Sequence, residues 1–97
     1  MAQPCHGPPS LGLSRGEAWV LHAAVVRRIE REREAGRQPT ELETLRERIE
    51  SCGSLEPVHL AAAERALDTY ADDAPERDEA KARAVLNYVR MSRSTTS

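Results

Sequence analysis

The sequence predicts an all-α fold, a small four-helix bundle made of two antiparallel helical hairpins. Three observations predict it. Four segments each carry their own helix-start signal. Apolar residues recur within each at three- and four-residue spacing. No stretch sustains the alternation of a strand, and no Asn-Gly turn joins two such runs. Short connections between the four helices favour antiparallel neighbours, hence two hairpins packed together.

The first helix begins at Ser14, whose hydroxyl can accept from the backbone three residues on while Glu17 reaches back, a capping box. It stops at Gly36. The second begins at Thr40 after Pro39, with Glu43 set to complete another capping box, and stops at Gly53. The third carries Pro57 in its first turn beside Glu56 and runs to about Tyr70, where ADDAP interrupts it. The fourth takes Pro75 at its start, places Glu76, Asp78 and Glu79 near the positive end of its dipole, and finishes near Arg90. Residues 1–12, with Pro4, Pro8, Pro9, Gly7 and Gly12, are expected to form a flexible arm, 13–91 the four-helix domain and 92–97 a flexible tail.

Each later helix has one core-facing stripe. In the second it is Leu42, Leu45, Ile49 and Cys52, in the third Leu60, Ala63, Leu67 and Tyr70, and in the fourth Ala82, Val85, Leu86 and Val89. The chain has one tryptophan, two tyrosines and no phenylalanine, so this core is aliphatic and rich in alanine. With 97 residues there is room for one domain with a modest core. The net charge of −2 gives no reason to expect delocalised attraction to nucleic acid or to an anionic membrane. The longest apolar run, Ala18 to Val26, is interrupted by His22 and falls far short of the roughly 20 residues that span a bilayer. The start MAQPCHGPPS lacks the basic-then-apolar pattern of a secretory signal, so Cys5 and Cys52 are expected to be reduced and the protein cytoplasmic.

The stretch Leu13 to Gly36 begins like a buried helix and ends like a solvated one. On a helical wheel Ala18, His22, Val25 and Ile29 make the central stripe, with Leu21 and Val26 on its flanks and Trp19 further round. Val20, Ala23 and Ala24 occupy the remaining sides, so residues 18–26 are apolar almost all round. One helix of a small bundle normally keeps an exposed face, and this one carries more apolar surface than its own bundle is expected to cover. The expectation is therefore an interaction surface of Trp19, Val20, Ala23, Ala24 and Arg27, with Trp19 as its anchor and a symmetric dimer as the simplest way to bury it. Around and beyond Ile29 the alternating charges of RRIEREREAGR, Arg27 to Arg37, read as a solvated end whose residues pair at helical spacing.

The run Ser14, Arg15, Glu17, Ala18 and Trp19 resembles the opening helix of short, uncharacterised haloarchaeal proteins with a Ser-Arg-x-Glu-Ala-Trp pattern. The resemblance covers about one helix and implies a small helical domain in the cytoplasm, with no assigned activity and no catalytic residues to carry over.

Chemistry finds little footing. Cys5, His6, His22, Cys52 and His59 are the conceivable zinc ligands, but no C-x-x-C pair brings two together, and no metal site is expected. His22 reads as a core or interface histidine with one hydrogen-bond partner, and His59 as a surface residue of a first helical turn. No glycine-rich phosphate loop, G-x-S-x-G elbow or H-E-x-x-H motif is present, so neither catalysis nor a cofactor is expected. The second and third helices can be drawn as a helix-turn-helix, yet the would-be recognition helix EPVHLAAAERALD has one arginine, three acidic residues and no Asn or Gln. The leading expectation is a non-enzymatic protein–protein interaction module, a homodimer or a small adaptor or regulator. The second is a nucleic-acid-associated regulator using the arginine-rich end of the first helix, with Arg27, Arg28, Arg31, Arg33 and Arg37.

Overall fold

The computed structural model describes residues 13–51 and 55–96. Its four helices are α1 (Arg15–Glu34), α2 (Thr40–Ser51), α3 (Pro57–Asp73) and α4 (Glu76–Thr96). The expected arm at 1–12 lies outside the described residues, as do Cys5, His6, Cys52 and Gly53.

The ends of α1 follow from its sequence. Ser14 sits in extended backbone and its hydroxyl accepts from the Glu17 N–H (3.2 Å), while the Glu17 carboxylate accepts from the Ser14 N–H (2.9 Å). At the other end Gly36 takes φ +80°, a left-handed conformation that a side chain would strain. Its N–H donates to the Arg33 carbonyl and the Arg37 N–H to that of Glu32, the paired bonds of a Schellman motif.

Three of the other ends differ from the sequence reading. The capping box expected at Thr40 and Glu43 is not formed: the Glu43 N–H donates to the Pro39 carbonyl, and its carboxylate turns to Arg33 of α1. An ion pair between helices replaces a bond within one. At the start of α3, His59 is buried rather than exposed, and its Nδ1 accepts from the Glu56 N–H (3.1 Å), capping the helix end from the inside. α4 runs to Thr96, past the end expected near Arg90, and Arg90 and Arg93 both reach Glu64 of α3, which holds this last stretch of helix against the bundle.

The core gathers at α3. This helix packs against all three others, whereas α2 and α4 do not touch. The expected stripe of Leu60, Ala63, Leu67 and Tyr70 is buried, and Ala62, Ala66 and Ala71 are buried beside it. At about 100° per residue these positions cover some 180° of the helix, a wider arc than the single stripe the sequence suggested. Their small side chains let two neighbours approach at once. Leu45 and Ile49 of α2 and Ala82, Val85, Leu86 and Val89 of α4 fill the remaining faces as expected, with Leu42 partly buried at the edge. The chain measures 34 × 29 × 29 Å, so its longest helices, each about 30 Å, span the whole domain.

Leu67 is fully buried at the middle of α3, and Leu67→Ala is expected to cost about 2–5 kcal/mol in urea denaturation. Gly16, by contrast, sits in the first turn of α1 under the end of Lys81. A Cβ there would lie 3.1 Å from the Lys81 Nζ, a flexible tip that can move aside. Gly16→Ala is expected to raise stability by about 0.5–1 kcal/mol in the same assay, and a loss would mean that Lys81 is held in place.

Candidate functional site

The bundle covers α1 on one side only. Ala18, Val20, Leu21, Ala24, Val25 and Ile29 are buried, an arc of about 180° that faces the other helices. Opposite it, Trp19 is 38% exposed, Ala23 and Val26 are half-buried, and Arg27 and Glu30 are exposed. Two of the five expected interaction residues are therefore misplaced. Val20 and Ala24 belong to the chain's own core, because the neighbouring helices take the flank of α1 that includes Leu21. Trp19, Ala23 and Arg27 lie on the open face, and Val26 joins them there.

Trp19, Ala23 and Val26 form the floor of a surface groove of about 680 Å³ that His22 and Tyr70 also line. Each wall is fixed by a bond to another helix. The Nε2 of His22 meets Oε2 of Glu50 in α2 at 2.7 Å; the carboxylate accepts, so this ring nitrogen carries the proton. Arg46 Nε lies 4.0 Å from the same oxygen. Trp19 packs edge-on to the His22 ring, with centroids 5.9 Å apart and planes at 89°. On the other side, the Tyr70 hydroxyl of α3 donates to Asp78 of α4 at 3.3 Å. His22 thus has the one partner expected of it, on a helix the sequence did not name.

Charge around the groove is unevenly satisfied. Beyond Ile29, Arg31 pairs with Asp73 and Arg33 with Glu43, while Glu32 is shared by Arg28 (3.1 Å) and Arg37 (2.6 Å). Four of the five arginines proposed for nucleic acid therefore have carboxylate partners. Arg27, Glu30 and Glu34 make no ion pair among the described residues, and all three border the groove. They continue the line of Trp19, Ala23 and Val26 at three- and four-residue steps. Val26, Glu30, Glu34 and Tyr70 were missed by the sequence reading. The first three share the wheel position of Trp19 and Ala23, a signal that was present; Tyr70 comes from another helix, for which there was none.

No serine, threonine or cysteine among the described residues lines the groove, and the one hydroxyl on its lining, that of Tyr70, donates to Asp78. Among the described residues no three His, Cys, Asp or Glu side chains converge on a point that would hold a metal. Of the conceivable ligands within them, His22 faces Glu50 and His59 caps α3. No helix among the described residues is long and apolar enough to cross a membrane.

A family of unknown function, DUF7853, has a model that matches residues 11–90, taking in α1, α2, α3 and most of α4. The chain belongs to DUF7853. No curated protein and no solved structure matches it. Within DUF7853 the matched span includes every residue of the groove, from Trp19 to Tyr70.

Tyr70 gives this DUF7853 chain a pH signature. Burial, and then the negative charge of Asp78, which also accepts its hydrogen bond, push the phenol above its usual value of 10.0. The folded state thus keeps this proton where the unfolded chain gives it up. The contribution of Tyr70 is fully present below pH 10.0 and declines as pH rises through the raised folded value. Urea melts across this alkaline range are expected to show a smaller decline for Tyr70→Phe than for the unaltered chain; equal declines would place the cause elsewhere.

Proposed function

We propose that this chain is a non-enzymatic helical interaction module whose contact surface is the groove on α1. The observation that carries the reading is the conjunction of an exposed Trp19, a floor of Ala23 and Val26, and a border of Arg27, Glu30 and Glu34 without ion pairs, on a helix whose neighbouring charges are paired. An exposed tryptophan beside small apolar side chains supplies buried area on contact. Unpaired charges at the edge cost nothing in water and supply direction when a partner arrives. The Ser14–Trp19 opening supports kinship with short haloarchaeal helical proteins, and with it the cytoplasmic setting that such kinship implies.

Ala23→Arg tests the reading, because the position is half-buried in the groove and lies outside the core cluster that it borders. The variant is expected to keep the thermal melt of the unaltered chain and to lose whatever that chain retains from native lysate, itself included. Identical retention by the two proteins would sink the proposal. Submicromolar binding to duplex DNA that falls steeply with salt would replace it with the nucleic-acid reading.

A further inference from the structure

The four helices are not anchored equally. Among the described residues α1 and α3 each touch all the others, whereas α2 and α4 touch those two and not each other. Withdrawing either outer helix therefore leaves three mutually packed helices behind. Burial separates the two. α4 is 21 residues long and buries Ala82, Val85, Leu86 and Val89, with Arg90 and Arg93 fastened to Glu64 of α3. α2 is 12 residues long and buries Leu45 and Ile49, with Leu42 partly covered. It is thus held by the least apolar surface of the four, and the least anchored unit of a fold opens first. We infer that α2 is a hinged strap: it swings open as a unit while α1, α3 and α4 stay packed, and its opening removes one wall of the α1 groove.

The ties between α1 and α2 form a hinge at one end and a latch at the other. The turn between the two helices holds Gly36 at φ +80°, and Arg33–Glu43 joins them beside it, so that this pair rides with the turn. Near the far end of α2, His22 Nε2 donates to Glu50 at 2.7 Å, and this bond breaks when α2 leaves. Breaking it strands neither partner. Glu50 keeps Arg46 of its own helix, four residues away, whose Nε already lies 4.0 Å from the same oxygen. His22, whose side chain is 15% exposed while α2 is docked, gains water. Trp19 packs edge-on to that ring and loses its fixed neighbour. The opposite wall, Tyr70 held by Asp78, belongs to α3 and α4 and stays where it is. The state of α2 therefore sets the shape of the open face of α1. This coupling is a property of the chain alone, whatever the groove contacts.

Hydrogen exchange of the full chain, read amide by amide by NMR, tests this. The N–H groups of Leu45 and Ile49 are expected to exchange at least about tenfold faster than that of Leu67 in α3, with a weaker dependence on urea, because opening α2 exposes less surface than unfolding the chain. Leu86→Ala in α4 makes the decisive comparison, since α4 does not touch α2. The substitution weakens the three packed helices to the same extent whether α2 is docked or open. It is expected to speed exchange at Leu67 at least about tenfold while leaving Leu45 and Ile49 unchanged. Val89→Ala removes less and is expected to act in the same direction should Leu86→Ala fail to fold. Glu50→Ala unfastens the latch, and is expected to speed exchange at Leu45 and Ile49 and to shift the emission of Trp19, the one tryptophan. Rates at Leu45 and Ile49 that equal the rate at Leu67 and rise with it in the α4 variants would show that α2 comes away only when the whole chain unfolds, which overturns the strap. Emission from Trp19 unmoved by Glu50→Ala overturns its link to the groove.

Discussion

The apposition of α3 against α1 on one side and α4 on the other is the contact on which the rest of the structure depends. A helix can be approached from two sides only if the side chains on both are small or interdigitate, and α3 meets the condition with Ala62, Ala63, Ala66 and Ala71 set among Leu60, Leu67 and Tyr70. In a chain with no phenylalanine, alanines that bring backbones close do much of the packing that larger residues would otherwise do. Close approach also enlarges the loss when one of the leucines is shortened, because little of the surrounding structure is free to move into the gap.

Since α3 and its neighbours claim the flank of α1 that contains Val20, Leu21 and Ala24, they also decide which part of α1 stays open. The groove is in this sense a by-product of core packing. Its walls are less so. His22 is tied to Glu50 at the far end of α2, and Tyr70 is tied to Asp78 at the start of α4, so residues from all four helices set its shape. A surface built on helices and braced from several directions holds its side chains in place.

The charges serve two purposes that the composition alone does not separate. Arg31–Asp73, Arg33–Glu43 and Arg90–Glu64 join helices that also share the core, and Arg28–Glu32 lies within α1. Such exposed pairs add little stability individually, about 0–1 kcal/mol, but they fix which helix lies beside which. Arg27, Glu30 and Glu34 belong to neither group. Their place at the margin of an apolar depression distinguishes them from the other charges of the same RRIEREREAGR segment.

By itself the sequence determined the four helices, because their signals are local: Ser14 with Glu17 at one end of α1, Gly36 at the other, Pro57 and Pro75 at the starts of α3 and α4. Spacing along each helix also placed the stripes of α2, α3 and α4, since an amphipathic helix has one face to bury. Only the tertiary structure decided α1. Residues 18–26 are apolar almost all round, so periodicity offers no preferred face, and the burial of Val20 and Ala24 rather than Ala23 and Val26 was settled by where the neighbouring helices pack. The same holds for His59, drawn inside at the start of α3, and for Glu43, which exchanged a capping bond for Arg33 of another helix. Each of these outcomes turns on a neighbour distant in sequence, and local spacing carries no record of it.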